Sequence, residues 1–313
     1  MRLKELSIKK KFIFVLIIFM IVPTFVLSGW MYKKVSESWI QNEHRSQSNE
    51  LGGILRTTEL QLKKYEKLAY SLYGYDHIIE MMKKNTNKRM PLDYVKTTNS
   101  LRSILNEEDY INSVYLFSDK GEVFFQDAQT SGSYENLYRE NPDWETKIKE
   151  ANGKLIWLPT FSIQKNKKEL QLFSCGMVVK NLTSSVWEPQ GVFIINISPE
   201  LFDTLFQLLR QGDEGTAYLI TDEKGVVIWS NKLSLGNSLD QTFFQSVIDS
   251  KEADSEQDYE EERYVVTKFQ SEYNGWNYIS MRKKSEVLKT GRWVFTSIVV
   301  QIAFILFFLL PVL

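Results

Sequence analysis

The sequence predicts an α+β fold: one long N-terminal helix followed by two modules of short strands and helices in tandem, flanked by two transmembrane helices. Three observations carry this. Two uncharged runs bracket the chain, a proline-free stretch with helical patterning follows the first of them, and two sets of short β-type runs then repeat about 100 residues apart.

Phe12 to Trp30 contains no charged residue. About 19 residues at 1.5 Å each make a helix of about 28 Å, close to the hydrocarbon thickness of a bilayer. A cleaved secretory signal is the competing reading, but its apolar core is shorter and ends in small residues, whereas Ser28-Gly29 runs into Trp30-Met31-Tyr32. Arg2, Lys4, Lys9, Lys10 and Lys11, opposed only by Glu5, predict a cytoplasmic segment over 1–11, a transmembrane helix over 12–30 and an extracytoplasmic main domain. The second run, 293–313, returns the chain to the membrane, with Trp30 and Trp293 at the same outer interface. The sequence stops within this run, so the chain is expected to be truncated at its second transmembrane helix, with the output domain missing.

A helical stalk is predicted over 31–75. Leu51, Leu55, Thr58, Leu62, Tyr65, Ala69 and Leu72 are spaced four and three apart, a stripe that suits either packing within the domain or a homodimer stalk. Gly52-Gly53 is where a bend would cost least. A second helix is expected from Tyr94 to Leu105, then strands at Val114–Phe117, Glu122–Phe125, Leu170–Phe173 and Val192–Ile195. A matching set covers Ala217–Ile220, Val226–Trp229, Tyr264–Phe269 and Trp276–Ser280. Tyr115 to Gly121 and Tyr218 to Gly225 each read as a strand followed by Asp and Gly placed for a hairpin turn.

Composition removes several functions. Lys+Arg 38 against Asp+Glu 39 leaves a net charge of -1, and no basic field recruits nucleic acid. Cys175 is the only cysteine and His44 and His77 the only histidines, so neither a metal site, a cofactor nor a catalytic set is expected. Cys175 reads as a small buried apolar residue. The acidic run from Asp254 to Glu262 lacks the calcium-loop pattern and reads as a solvated loop or edge.

In order and texture, about Met31 to Glu286 resembles the double Cache (dCache) sensor domains of bacterial receptors. The resemblance rests on the long helix, on Gly191 to Ile197 as a closing strand, on Pro199 to Gln211 as a connecting helix, and on Trp144 to Trp157 as a tryptophan-led helix followed by glycine and a strand tryptophan. It implies two PAS-like modules, a membrane-distal one over 76–198 and a membrane-proximal one over 199–286. The basic start, the apolar span with Pro23 and the stalk are also similar to YesM-type sensor histidine kinases. What the resemblance implies is extracytoplasmic ligand sensing. The kinase, a phosphotransferase, would lie outside these residues; a chemotaxis receptor or a cyclic-dinucleotide enzyme is the alternative parent.

The resemblance also implies a pocket in the distal module, between its sheet and the covering loop and helix. Tyr134, Tyr138, Trp144, Trp157, Phe161 and Phe173 are the aromatic candidates for it, with Arg139 or Asp143 as polar anchor, although aromatics at strand spacing more often form core. Such a set suits a sugar or another small solute. Amino-acid-binding members carry an arginine two positions before the helix tryptophan and a tyrosine directly after it. Pro142 and Glu145 stand there instead, so an amino acid is expected to be disfavoured. Two other readings compete with a receptor: a tethered enzyme, for which no nucleophile or metal set is visible, and a membrane-anchored scaffold without a small ligand.

Overall fold

The computed structural model describes residues 8–84, 90–128, 142–165, 168–182, 187–209, 215–250 and 252–289, together with 296, 297 and 300. Helix α1, Ile8–Tyr70, runs unbroken for 63 residues. A 3-10 turn, Ser71–Gly74, ends it, and α2, Asp76–Lys83, and α3, Pro91–Leu105, follow. Pro91 stands at the first position of α3, where its missing N–H costs nothing. Asp93 closes that helix start by accepting from Met90 N at 3.1 Å and from Lys84 Nζ at 2.9 Å.

The first sheet contains β1 (Ile111–Ser118), β2 (Val123–Asp127), β3 (Ile156–Lys165), β4 (Lys168–Lys180) and β5 (Pro189–Ile197). Helix α4, Pro142–Glu150, precedes β3. Helix α5, Glu200–Leu209, leads to a second sheet of β6 (Ala217–Thr221), β7 (Val227–Ser230), β8 (Asp254–Tyr259), β9 (Glu262–Gln270) and β10 (Asn277–Lys283). Helix α6, Gln241–Asp249, precedes β8, and α7, Lys284–Lys289, follows β10. Strand orders are β2-β1-β5-β4-β3 and β7-β6-β10-β9-β8, every pair antiparallel. The two sheets therefore share one connectivity, as the repeated hairpins predict.

One apolar core joins both sheets to α1. Leu51, Leu62, Tyr65 and Leu72 of the heptad stripe lie in it with Val114, Phe173 and Ile195 of the first sheet and Tyr218 and Tyr278 of the second. Each such side chain contributes roughly 1.5–3 kcal/mol relative to remaining in water. At this height the stripe packs inside its own domain. The helix continues unbroken through Gly52-Gly53, and Gly52 faces Phe269 of β9.

Polar bonds fasten α1 to the second sheet along its length. Arg282 Nη1 donates to Glu43 at 3.1 Å, Ser280 Oγ to Gln47 at 3.1 Å, Ser271 Oγ to Glu59 at 2.6 Å and the Tyr273 hydroxyl to Glu66 at 2.6 Å. The acidic run forms the edge strand β8 and its turn. Glu256 accepts from Lys284 and Arg263, each at 2.8 Å, and Glu262 pairs with Lys283 at 3.3 Å. Charges on an edge strand of this kind discourage pairing with another chain.

Among the described residues no helix is long and apolar enough to cross a membrane. Residues 12–30 lie within α1, and the second apolar run, apart from 296, 297 and 300, lies outside the described residues.

Candidate functional site in the first module

The two faces of the first sheet differ because successive side chains of a strand point to opposite sides. Val114 and Leu116 of β1 and Phe193 and Ile195 of β5 enter the core shared with α1. Tyr115, Phe117, Val192 and Ile194 form a separate cluster on the other face, under Trp144 and Ile148 of α4. Tyr115 stacks on Phe117 and on Phe125, centroids 5.7 Å apart in both cases, and Trp144 meets Phe161 edge-on at 4.9 Å. Phe125 and Phe161 stay partly exposed, while Tyr115 and Trp144 are buried.

Gly176 of β4 sets how closely the covering helix approaches. A Cβ there would lie 2.8 Å from Ile148 Cδ1, so a side chain at 176 would drive α4 off the sheet.

Polar groups continue the same face beyond the rings. Ser174 Oγ donates to Asn196 Oδ1 at 2.6 Å, and Asn196 Nδ2 donates to Ser113 Oγ at 2.9 Å, all three residues buried. Ser113 pairs in register with Asp127 of β2, which puts Asp127 on the same face of the sheet. The face thus carries aromatic rings under α4 and, beside them, an amide and hydroxyl network with Asp127 on the neighbouring strand. Among the described residues no group of His, Cys, Asp and Glu is placed to hold a metal ion.

The predicted residues divide between the two sides of the sheet. Trp144 and Phe161 belong to the α4-covered face, and Asp143 is exposed in the first turn of α4. Trp157 and Phe173 lie on the opposite side, where each packs against Trp276 of the second module, at 5.8 and 6.0 Å. A bulge between Leu158 and Phe161 causes the split: residues 157 and 161 have the same parity but face opposite ways. Tyr134, Tyr138 and Arg139 lie outside the described residues. Sequence reasoning missed Tyr115, Phe117, Asn196 and Asp127. The signal for the first two was present, since alternate positions of a predicted strand share a face. Cys175 is buried on the α1 side, and burial raises its thiol pKa well above the ordinary range, which suits an inert residue.

Two sheets of one connectivity strung on one helix, the first with a mixed aromatic and polar face under a short helix, define a double-module ligand-binding domain. Residues 31–290 match the Cache domain family, and the chain belongs to it. Cache domains are extracytoplasmic sensors of membrane receptors and are not enzymes. Solved structures with a similar fold include the ligand-binding domain of the Campylobacter jejuni chemoreceptor Tlp3 in complex with L-norvaline, at 12% identity and TM-score 0.56, covering 80% of this chain and 94% of that one. That of the Pseudomonas fluorescens chemoreceptor CtaA in complex with L-isoleucine is similar at 10% identity and TM-score 0.54, covering 83% and 98%. The sensory domain of C. jejuni Tlp1 is similar at 13% identity and TM-score 0.55, covering 82% and 98%. These identities show a common fold. No curated protein matches the chain.

One expectation is corrected here. Amino acids were expected to be disfavoured, yet the solved domains with this fold hold L-norvaline, isoleucine and L-valine. Two positions, Pro142 and Glu145, are too little to exclude a ligand class when Asp127 and Asn196 supply other polar groups on the face.

Proposed function

We propose that this chain is the extracytoplasmic ligand-sensing part of a bacterial transmembrane receptor, and that the α4-covered face of the first module takes a small solute with an amino group and an apolar body, such as a branched aliphatic amino acid. The observation that carries the reading is the tandem Cache fold built on a helix that continues into an uncharged run. Within that run Val15, Phe19, Val22, Phe25, Val26, Leu27 and Trp30 are exposed. At 100° per residue they spread over roughly 200° of the helix surface, an arrangement suited to lipid on most sides. Residues 1–11 are then cytoplasmic, 12–30 and 293–313 the two spans, 31–75 the stalk, 76–198 the membrane-distal module and 199–286 the membrane-proximal one. Trp144 and Phe161 pack against the ligand body, with Tyr134, Tyr138, Arg139 and Asp143 contributed by the cover, and Asp127 takes the ammonium group.

For the output, the basic start, the span with Pro23 and the stalk favour a two-component histidine kinase. The likeness to chemoreceptor domains favours a chemotaxis receptor as the second reading.

The test uses the full chain in lipid nanodiscs, titrated with L-isoleucine and L-valine by calorimetry. Saturable binding weakened at least tenfold by Asp127→Asn is expected. Unchanged affinity in that variant would remove the first module's face as the site. In intact cells an impermeant maleimide should label Leu60→Cys and spare Lys4→Cys; the reverse pattern would overturn the orientation.

A further inference from the structure

A cleft of about 690 Å³ lies between the modules, with α4 and the start of β3 on one side and the β6–β7 and β9–β10 turns on the other. It opens at the edge of β3, where Ile156 and Trp157 both line it, and Phe161 is not among its lining residues. Trp157 and Tyr273, both partly exposed, form its aromatic floor, and the buried Trp276 supports Trp157 at 5.8 Å. The Tyr273 hydroxyl donates to Glu66 at 2.6 Å, which enriches the ring in electron density, and Lys63 Nζ already stands 5.2 Å from that ring's centroid.

The rim carries four carboxylates, Glu150, Asp222, Glu223 and Glu272, against two ammonium groups, Lys147 and Lys224. Asp222 is engaged in its own turn, accepting from Lys224 N at 2.9 Å and Val226 N at 2.7 Å. Glu223 is exposed, and its carboxylate lies over Gly275, filling the space that a Cβ at 275 would need. Gly275, at φ +76°, therefore serves both the turn and the placement of this charge at the edge of the cleft.

We propose that this inter-module cleft is a second binding site, separate from the first module's face, and that it takes a small organic cation. An alkylated ammonium group would sit on the Trp157 and Tyr273 faces with Glu223 and Glu272 as counter-charges. The two walls come from different modules, so occupancy favours the arrangement in which they face each other, and the site acts on the joint between the modules.

Choline chloride is the probe, titrated into the full chain in nanodiscs by calorimetry, with sodium chloride at equal ionic strength as the blank. Saturable binding is expected, weakened at least fivefold by Glu223→Gln, a surface change that leaves the core untouched, and at least tenfold by Trp157→Leu. Asp127→Asn should leave choline binding unchanged. Heat equal to the sodium chloride blank overturns the proposal, as does choline binding that survives Glu223→Gln but is lost in Asp127→Asn. L-isoleucine titrated into the same samples reports on the first module's face separately, so the failure of one site is not confused with failure of the other.

Discussion

The two modules share strand order, yet the face away from α1 is used differently in each. In the second module Phe243, Phe244 and Val247 of α6 pack onto Ala217, Leu219 and Ile279, and Thr221, Asn277 and Lys268 lie on the same face of the sheet. Helix α6 is also fixed at both ends. Asp240 accepts from Phe243 N at 2.9 Å at its start, and Lys268 Nζ donates to the carbonyls of Ile248 and Ser250 at 2.6 and 2.8 Å at its end. In the first module the corresponding helix α4 sits over Gly176, beside the Ser174, Asn196 and Ser113 chain and the partly exposed Phe125 and Phe161. A duplicated fold thus carries two helix-covered faces, one whose helix is bonded at both ends and one whose helix closes over a glycine.

Phe244→Ala should strike this contrast hardest. The ring packs against Gly225, where a Cβ would lie 2.9 Å from it, and truncation leaves a cavity costing about 3–5 kcal/mol. Denaturant unfolding of the full chain should show that loss while L-isoleucine affinity, measured under native conditions, changes little; a large loss of affinity would mean that the second module is more than a support. Gly176→Val should do the opposite. Overpacking against Ile148 costs about 1–3 kcal/mol, and L-isoleucine binding should fall far more than stability does. Equal loss of both would make α4 ordinary core.

Smaller effects belong to the β8–β9 turn. Glu260 and Glu261 have φ of 49° and 64°, a left-handed pair that two carboxylate side chains suit poorly. Glu261→Gly should stabilise the second module by about 1 kcal/mol in the same unfolding experiment, with ligand affinity untouched. The smallest effect is with pH. Burial alone would raise the Glu256 carboxyl pKa, but the hydrogen bond and charge of Lys284, together with Arg263, outweigh it and hold the group below its ordinary value. A depressed carboxylate contributes stability above its unfolded pKa and loses it as pH falls through the folded one. Unfolding midpoints should therefore drop in the acid range, and Glu256→Gln should flatten part of that slope; an unaltered slope would show the cluster to be energetically silent.

Much of the fold was legible because its signals are local. The strands around Tyr115 and Tyr218, the helix from Tyr94 and the stripe from Leu51 are written in periodicity, and burial followed it. Strand β8 was harder, because Asp254, Glu256 and Asp258 look solvated until Arg263 and Lys284 are brought beside them. The candidate face was half legible. Parity places Trp157 with Phe161, and only the bulge between Leu158 and Phe161 separates them; Asn196 joins the face only through the alignment of β1, β5 and β4.

Helix α1 has a mechanical consequence. Between Trp30 and Tyr70 it is a strut of about 60 Å, bonded to the second sheet at Glu43, Gln47, Glu59 and Glu66. A strut so braced has little freedom to flex on its own, so a 5° tilt at its base sweeps the far end by about 5 Å. Its one proline, Pro23, is a ready pivot, because the ring removes the N–H that would bond the carbonyl of Phe19. In the proposed orientation that pivot lies inside the bilayer, and lipid would feel a movement of the braced modules as a change of angle at a single residue.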